Sequence, residues 1–181
     1  LCGPQIRHLV THYLPAMVGE GRAAGLRAAR TLARHAPASC LAEMRACAEA
    51  AGVAYEDLLL GNTLAEIYQV NLCSAVALRG VRTRDGHLLV GRNLDFPAEG
   101  VLDRCTVVVE RIPASVGWPG FVGVLSGINE DGLVVSNLLA EYQERSLDGL
   151  PYAFLLRRVL EEAGDVEAAL RIVRGADRSV G

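Results

Sequence analysis

One cysteine stands in company that could make it a nucleophile. Cys73 opens a run, Cys73-Ser-Ala-Val-Ala-Leu-Arg79, that alternates like a strand, and Gly91-Arg92-Asn93-Leu94-Asp95 closes the run from His87 to Asn93 and its exit. Between them, Arg84-Asp85-Gly86-His87 carries the Asp-Gly signature of a hairpin turn. A hairpin sends the chain back antiparallel, so the end of the second strand lies beside the beginning of the first. Arg92 and Asp95 are thereby brought near Cys73. A guanidinium beside a thiol stabilises the thiolate, which is the nucleophilic form, and a carboxylate can orient a base. Strict alternation puts Arg92 and Asp95 on opposite faces, so both meet the sulfur only if the chain bends. Pro97 favours an end to the strand there.

A cysteine nucleophile needs a base, and no histidine has an obvious place beside this one, since His87 lies toward the turn. The remaining candidate is the α-amine of Cys73 itself, with an unperturbed pKa of about 7.7–8.0, available only if the Leu72–Cys73 bond is cut. Against this stands the ordinary reading of a lone strand cysteine as a small, inert hydrophobe. Other motifs carry less. Gly19-x-Gly21-x-x-x-Gly25 is one residue too long for a dinucleotide loop and follows no strand. His8 and His12 share a helical face but lack a third metal ligand. Trp118-Pro119-Gly120 reads as a turn into a strand, its indole serving packing.

The elements that must hold these residues are legible in outline. Ile6 to Val18 repeats at helical spacing, with Pro15 a break or kink, and Ala23 to Ala33 is rich in alanine and arginine. Ser39 is the expected N-cap and Gly52 the C-cap of a third helix. A fourth is expected from Tyr55 to Gln69, with Leu58, Leu59, Leu64, Ile67 and Tyr68 inward. After the hairpin, strands are expected at Cys105–Arg111, Phe121–Ser126 and Leu133–Leu138, with Asn129-Glu-Asp-Gly132 turning between the last two. Tyr152–Ala163 and Val166–Val173 read as closing amphipathic helices, Pro151 starting one and Asp165 capping the other. Helices, then a run of strands, then helices argue for an α+β protein with helices layered on antiparallel sheet. The boundary falls near Asn71.

Composition narrows the function classes. The chain has 181 residues, 51% apolar and 22% charged, enough to bury a core. A net charge of −3 offers no basic face for nucleic acid. All 18 basic residues are arginine, which removes Walker, Schiff-base and kinase-type lysine chemistry and points to a GC-rich bacterial genome. No apolar run reaches the roughly 18 residues of a membrane span. Five cysteines at irregular spacing, without Cys-x-x-Cys, fit reduced thiols in a cytoplasm. The first residue, Leu1, and the last, Gly181, just after a helical pattern, suggest a piece of a longer chain, so the lack of a signal peptide carries no argument.

Cys73-Ser-Ala, Gly86 and Gly91-Arg-Asn-Leu-Asp-Phe96 together resemble the cysteine N-terminal-nucleophile hydrolases, in the acyl-coenzyme A:6-aminopenicillanic acid acyltransferase branch, related to acid ceramidase, N-acylethanolamine acid amidase and the choloylglycine hydrolases. Phe121–Leu133 and the helix from Pro151 to Glu162 also resemble bacterial members, and the similarity runs from about Gly61 to Val173. The resemblance implies an αββα sandwich, truncated here at its C-terminus, with residues 1–72 a helical N-terminal region or propeptide and 73–181 the N-terminal part of the catalytic domain. It implies hydrolysis or transfer of an acyl group at a linear amide or thioester through a thioester acyl-enzyme. Cys73 would be the nucleophile, freed by cleavage after Leu72 to give a two-chain assembly. Arg92 would set the thiolate, Asp95 would hold the new α-amine, and Asn137 would contact oxyanion or substrate, or simply bond backbone at a strand end. Substrates would be small acyl amides or acyl thioesters; no metal and no bound cofactor are required. Two departures stand out: a longer Cys73–Arg92 interval, which an enlarged turn at Arg82–Gly86 would absorb, and the absence of later strands that supply a further oxyanion asparagine. The rival is a non-catalytic α+β protein that retains the fold.

Overall fold

A computed structural model describes residues 2–68, 72–110, 113–138 and 146–179. The expected domain boundary near Asn71, the helix end at Gln69 and the strand end at Arg111 lie outside them.

The first helical stretch is unbroken but not regular. α1 (Gly3–His8) passes into a π-helical turn (Leu9–Tyr13) and then α2 (Leu14–Val18). Pro15 brings no N–H to the ladder, and the turn before it widens so that Leu14 N–H reaches the Leu9 carbonyl. The kink expected at Pro15 thus takes the form of a wide turn. A 3₁₀ turn (Gly19–Gly21) leads into α3 (Arg22–Ala33), whose small residues let it lie close on α5 (Tyr55–Tyr68). A Cβ at Gly25 would stand 3.1 Å from Leu60 and 3.2 Å from the Tyr68 hydroxyl, so this glycine serves helix packing. α4 (Ala38–Ala51) starts after Pro37 instead of at a Ser39 cap, because proline fixes the entry angle and no side chain caps the turn. Gly52 closes it in the left-handed conformation, as expected. Tyr13, Leu14, Ala29, Met44, Leu59, Leu60 and Leu64 form the core of this region, joined by Leu102, Val122 and Phe154 from later in the chain.

β1 (Leu72–Gly80) and β2 (Gly86–Asp95) form the hairpin, with Val81–Asp85 as an enlarged turn and a register shift between Leu78 and Gly80. Gly80 and Gly86 both take positive φ at its ends. A four-stranded antiparallel meander follows: β3 (Val107–Val109), β4 (Ala114–Gly117), β5 (Ser126–Ile128) and β6 (Val134–Ser136). Three corrections apply to the strands read from sequence. Cys105 ends a one-turn helix, α6 (Leu102–Cys105), whose apolar Leu102 and Cys105 are buried. β4 was not expected, since four small residues between two prolines carry no alternation. Phe121–Leu125 is irregular and buried instead of being a strand: Gly123 lies so close to α7 (Tyr152–Glu162) that a Cβ would fall 2.7 Å from that of Ala153, leaving no room for a ladder partner.

The turn at Asn129–Gly132 forms as expected. Asn129 Oδ1 accepts the N–H groups of Asp131 and Leu133, and its amide donates to Leu160 and Ala163 carbonyls. α7 (Tyr152–Glu162) and α8 (Val166–Gly175) close the chain, with Asp165 accepting Ala168 N–H at 2.7 Å as its cap. The architecture is a mixture of helix and antiparallel sheet. No helix among the described residues is long and apolar enough to cross a membrane.

Candidate active site

The hairpin register places the chemistry. Cys73 pairs with Leu94 and Ala75 with Arg92, so side chains at 73, 75, 92 and 94 share one face. From opposite Ala75 the Arg92 side chain turns back along that face, and its Nη2 donates to Cys73 Sγ at 3.2 Å. The same nitrogen donates to the Asn137 carbonyl at 2.9 Å, just past β6. Asn137 is itself tied down, its N–H donating to the Leu125 carbonyl at 2.8 Å. The guanidinium is thus held between the hairpin and the meander, with a fixed positive charge against the sulfur.

Asp95 does not join them. β2 runs regularly to its end, so Asp95 sits opposite Leu72 on the other face, and the bend needed to bring it to the thiol is absent. Its carboxylate accepts Asn93 Nδ2 at 2.7 Å. Its register position is nonetheless level with the residue before Cys73. For Asn137 the contact with Arg92 is made by backbone, while its side-chain Oδ1 is buried with no partner among the described residues.

The other cysteines differ in setting. Burial pushes the thiols of Cys40 and Cys47 up, Cys105 is buried, and Cys2 is exposed. His8 and His12 stack on an exposed surface with ring centroids 4.4 Å apart, and no group of three or more potential metal ligands occurs among the described residues.

Beside Arg92 a trough of 710 Å³ opens between β2 and the meander. Leu88, Val90, Leu94, Val116 and Val134 make its walls apolar, and Phe96 and Trp118, 5.7 Å apart, stand together along it. Of two polar residues of this trough, the sequence reading gave Trp118 to packing and passed over Ser126. Trp118 Nε1 and Ser126 Oγ are buried without partners among the described residues, as is Arg92 Nε. Four of the five such atoms, counting Asn137 Oδ1, therefore belong to Arg92 or to residues of the trough and its edge. The only hint in the sequence was a serine in an otherwise apolar stretch, which alone says little.

The helical region positions this assembly from behind. Asn62, buried on α5, accepts Val122 N–H at 2.8 Å and donates to the Gly120 carbonyl at 2.8 Å. Tyr13 donates to the Pro97 carbonyl at 2.9 Å, fixing the exit of β2. Arg157 of α7 bridges Glu43 of α4 at 2.7 Å and also donates to the Val122 carbonyl.

Protein dcd1A of Dictyostelium discoideum is 27% identical over 162 residues, covering 81% of this chain and 36% of that protein. An uncharacterized protein of Archaeoglobus fulgidus is 25% identical over 186 residues, covering 86% and 31%, and protein dcd1B of Dictyostelium discoideum is 24% identical over 146, covering 76% and 29%. The chain spans about a third of the length of these relatives. Residues 81–181 match the acyl-coenzyme A:6-aminopenicillanic acid acyl-transferase family, a segment that holds Arg92, Asp95 and Asn137 and begins after Cys73. With more than half its residues in that match, the chain belongs to the acyl-coenzyme A:6-aminopenicillanic acid acyl-transferase family.

Proposed function

We propose that this protein is a cysteine-dependent amidohydrolase or acyltransferase in which Cys73 takes the acyl group as a thioester. The observation that carries the reading is the 3.2 Å contact between Arg92 Nη2 and Cys73 Sγ at the mouth of an apolar trough. The thiolate attacks the carbonyl carbon of an acyl amide or thioester. The carbon–nitrogen or carbon–sulfur bond breaks, the leaving group takes a proton, and water or an amine then releases the acyl group. Arg92 stabilises the thiolate and the developing oxyanion. The side chain of Asn137, whose carbonyl steadies Arg92, contacts the substrate.

The proton carrier is the α-amine of Cys73, released by self-cleavage at Leu72–Cys73. The register of Asp95 opposite Leu72 supports its assignment as the carboxylate that holds this amine. Residues 1–72 are then a propeptide that stays bound through Asn62, Tyr13 and Glu43, giving a two-chain assembly in the cytoplasm. In this reading the hairpin and the meander belong to the two sheets of an αββα sandwich.

The test is turnover of a panel of N-acyl amides and acyl thioesters, with and without an added amine. Activity lost in Cys73→Ala and captured acyl amide with added amine would establish a transferase; activity without capture, a hydrolase. The rival, a non-catalytic α+β protein that retains the fold, draws on the placement of Asp95 away from the sulfur. It predicts no turnover by either form.

A further inference from the structure

A second polar cluster lies away from the cysteine, where α5 meets the far end of the chain. Residues 146–150 and 177–179 form a small ladder: Leu150 N–H donates to Asp177 O at 2.7 Å, Ser179 N–H to Leu150 O at 3.2 Å, and Ser146 N–H to Ser179 O at 3.3 Å. Gly149 presses against the backbone of Arg178 and Ser179, leaving no space for a side chain. Beneath this ladder lies Glu66 of α5, only 4% exposed. Its Oε1 accepts the backbone N–H of Tyr152, at the start of α7, and the Ser179 hydroxyl at 2.9 Å. Its Oε2 is buried and has no partner among the described residues. At the rim of the same seam, His35 Nε2 at the end of α3 meets Asp148 Oδ1 at 2.7 Å, a charged pair only when the imidazole is protonated.

A carboxyl with one oxygen bonded twice and the other buried bare is suited to carry a proton. We propose that Glu66 makes this seam a proton-operated clasp that grips in acid and loosens toward neutral pH. The proposal is independent of the chemistry at Cys73, although Glu66 stands only seven residues before it.

Burial is the leading influence on Glu66 and pushes its carboxyl up to about 7, while the hydrogen bonds from Tyr152 and Ser179 pull it back. The charged and titratable side chains of the adjoining segments are His35, Asp148, Asp177, Arg178, Arg157 and Arg158, and none is hydrogen-bonded to Glu66. Because the folded value exceeds the ordinary one of 4.5, the grip is complete below about 4.5 and is lost as pH rises to about 7.

The experiment is amide hydrogen exchange of the full chain between pH 4.5 and 8, corrected for intrinsic rates and read at Leu150, Tyr152 and Ser179. Protection should fall by up to about tenfold per pH unit from 4.5 to 7 and then level off. Glu66→Gln, which keeps the Oε1 acceptor, should flatten that slope. A flat wild-type profile, or an unchanged slope in Glu66→Gln, would overturn the proposal. Should Glu66→Gln not fold, carbon-13 NMR titration of the Glu66 carboxyl in wild type and Ser179→Ala decides. Loss of a bond to the ionised form should raise the midpoint above the wild-type value near 7. A wild-type midpoint near 4.5, or no rise in Ser179→Ala, would refute the clasp.

Discussion

The helices before Cys73 and the hairpin that begins with it are built on opposite terms. In the helical region Leu32, Met44 and Leu60 have no exposed surface, and buried polar groups such as Asn62 and Thr63 are bonded to backbone. In the hairpin Val76 is 54% exposed and Leu89 58%, and most of its residues lie open along both faces. The candidate chemistry sits on the open element, while the packed one supplies hydrogen bonds that fix the segments around it. Rigidity and reactivity are thus divided between two parts of the chain: Arg92 is steadied by Asn137 across the gap, not by packing within its own sheet.

Substitutions in the two regions should therefore separate activity from stability. The largest effect is expected for Cys73→Ala, which should lower acyl turnover by about 10⁴-fold or more with little change in melting temperature. Leu60→Ala should do the reverse, destabilising by about 2–5 kcal/mol in urea titration while the folded fraction keeps its turnover. Arg92→Ala should cost roughly 10²–10³-fold in kcat, and Arg92→Lys should recover only part, since a point charge cannot hold both Cys73 and Asn137 as the planar fork does. Asn62→Ala leaves Val122 N–H and Gly120 O without their partner and should cost about 1–3 kcal/mol. Leu89→Thr on the open hairpin should change stability by no more than about 0.5 kcal/mol. A larger loss there would show that this face is covered in solution, and the division between regions would need redrawing.

Much of the site was legible because a hairpin is a local rule. Alternation at Cys73–Arg79 and the Asp-Gly turn were enough to set Arg92 near the sulfur, whereas the expected approach of Asp95 depended on a bend that β2 does not make. The meander was harder. β4 consists of Ala114, Ser115, Val116 and Gly117, too short and too small to alternate visibly, and it forms only because β3 and β5 flank it. The apolar Phe121–Leu125 looked like a strand, yet its spacing reflects contact with α7 through Gly123, which no local pattern encodes. Glu66 and Asn62 interrupt the apolar face of α5, but the partners they reach outside that helix lie 58 to 113 residues away, beyond the reach of periodicity.

Acyl transfer to Cys73 is the centre of the account, and intact-mass spectrometry after a brief incubation with an acyl thioester, quenched in acid, tests it most directly. The account predicts a mass increase of one acyl group, confined to the peptide that contains Cys73, removed by hydroxylamine and absent from Cys73→Ala. An unmodified chain, or an adduct on another cysteine with Cys73 untouched, would contradict it.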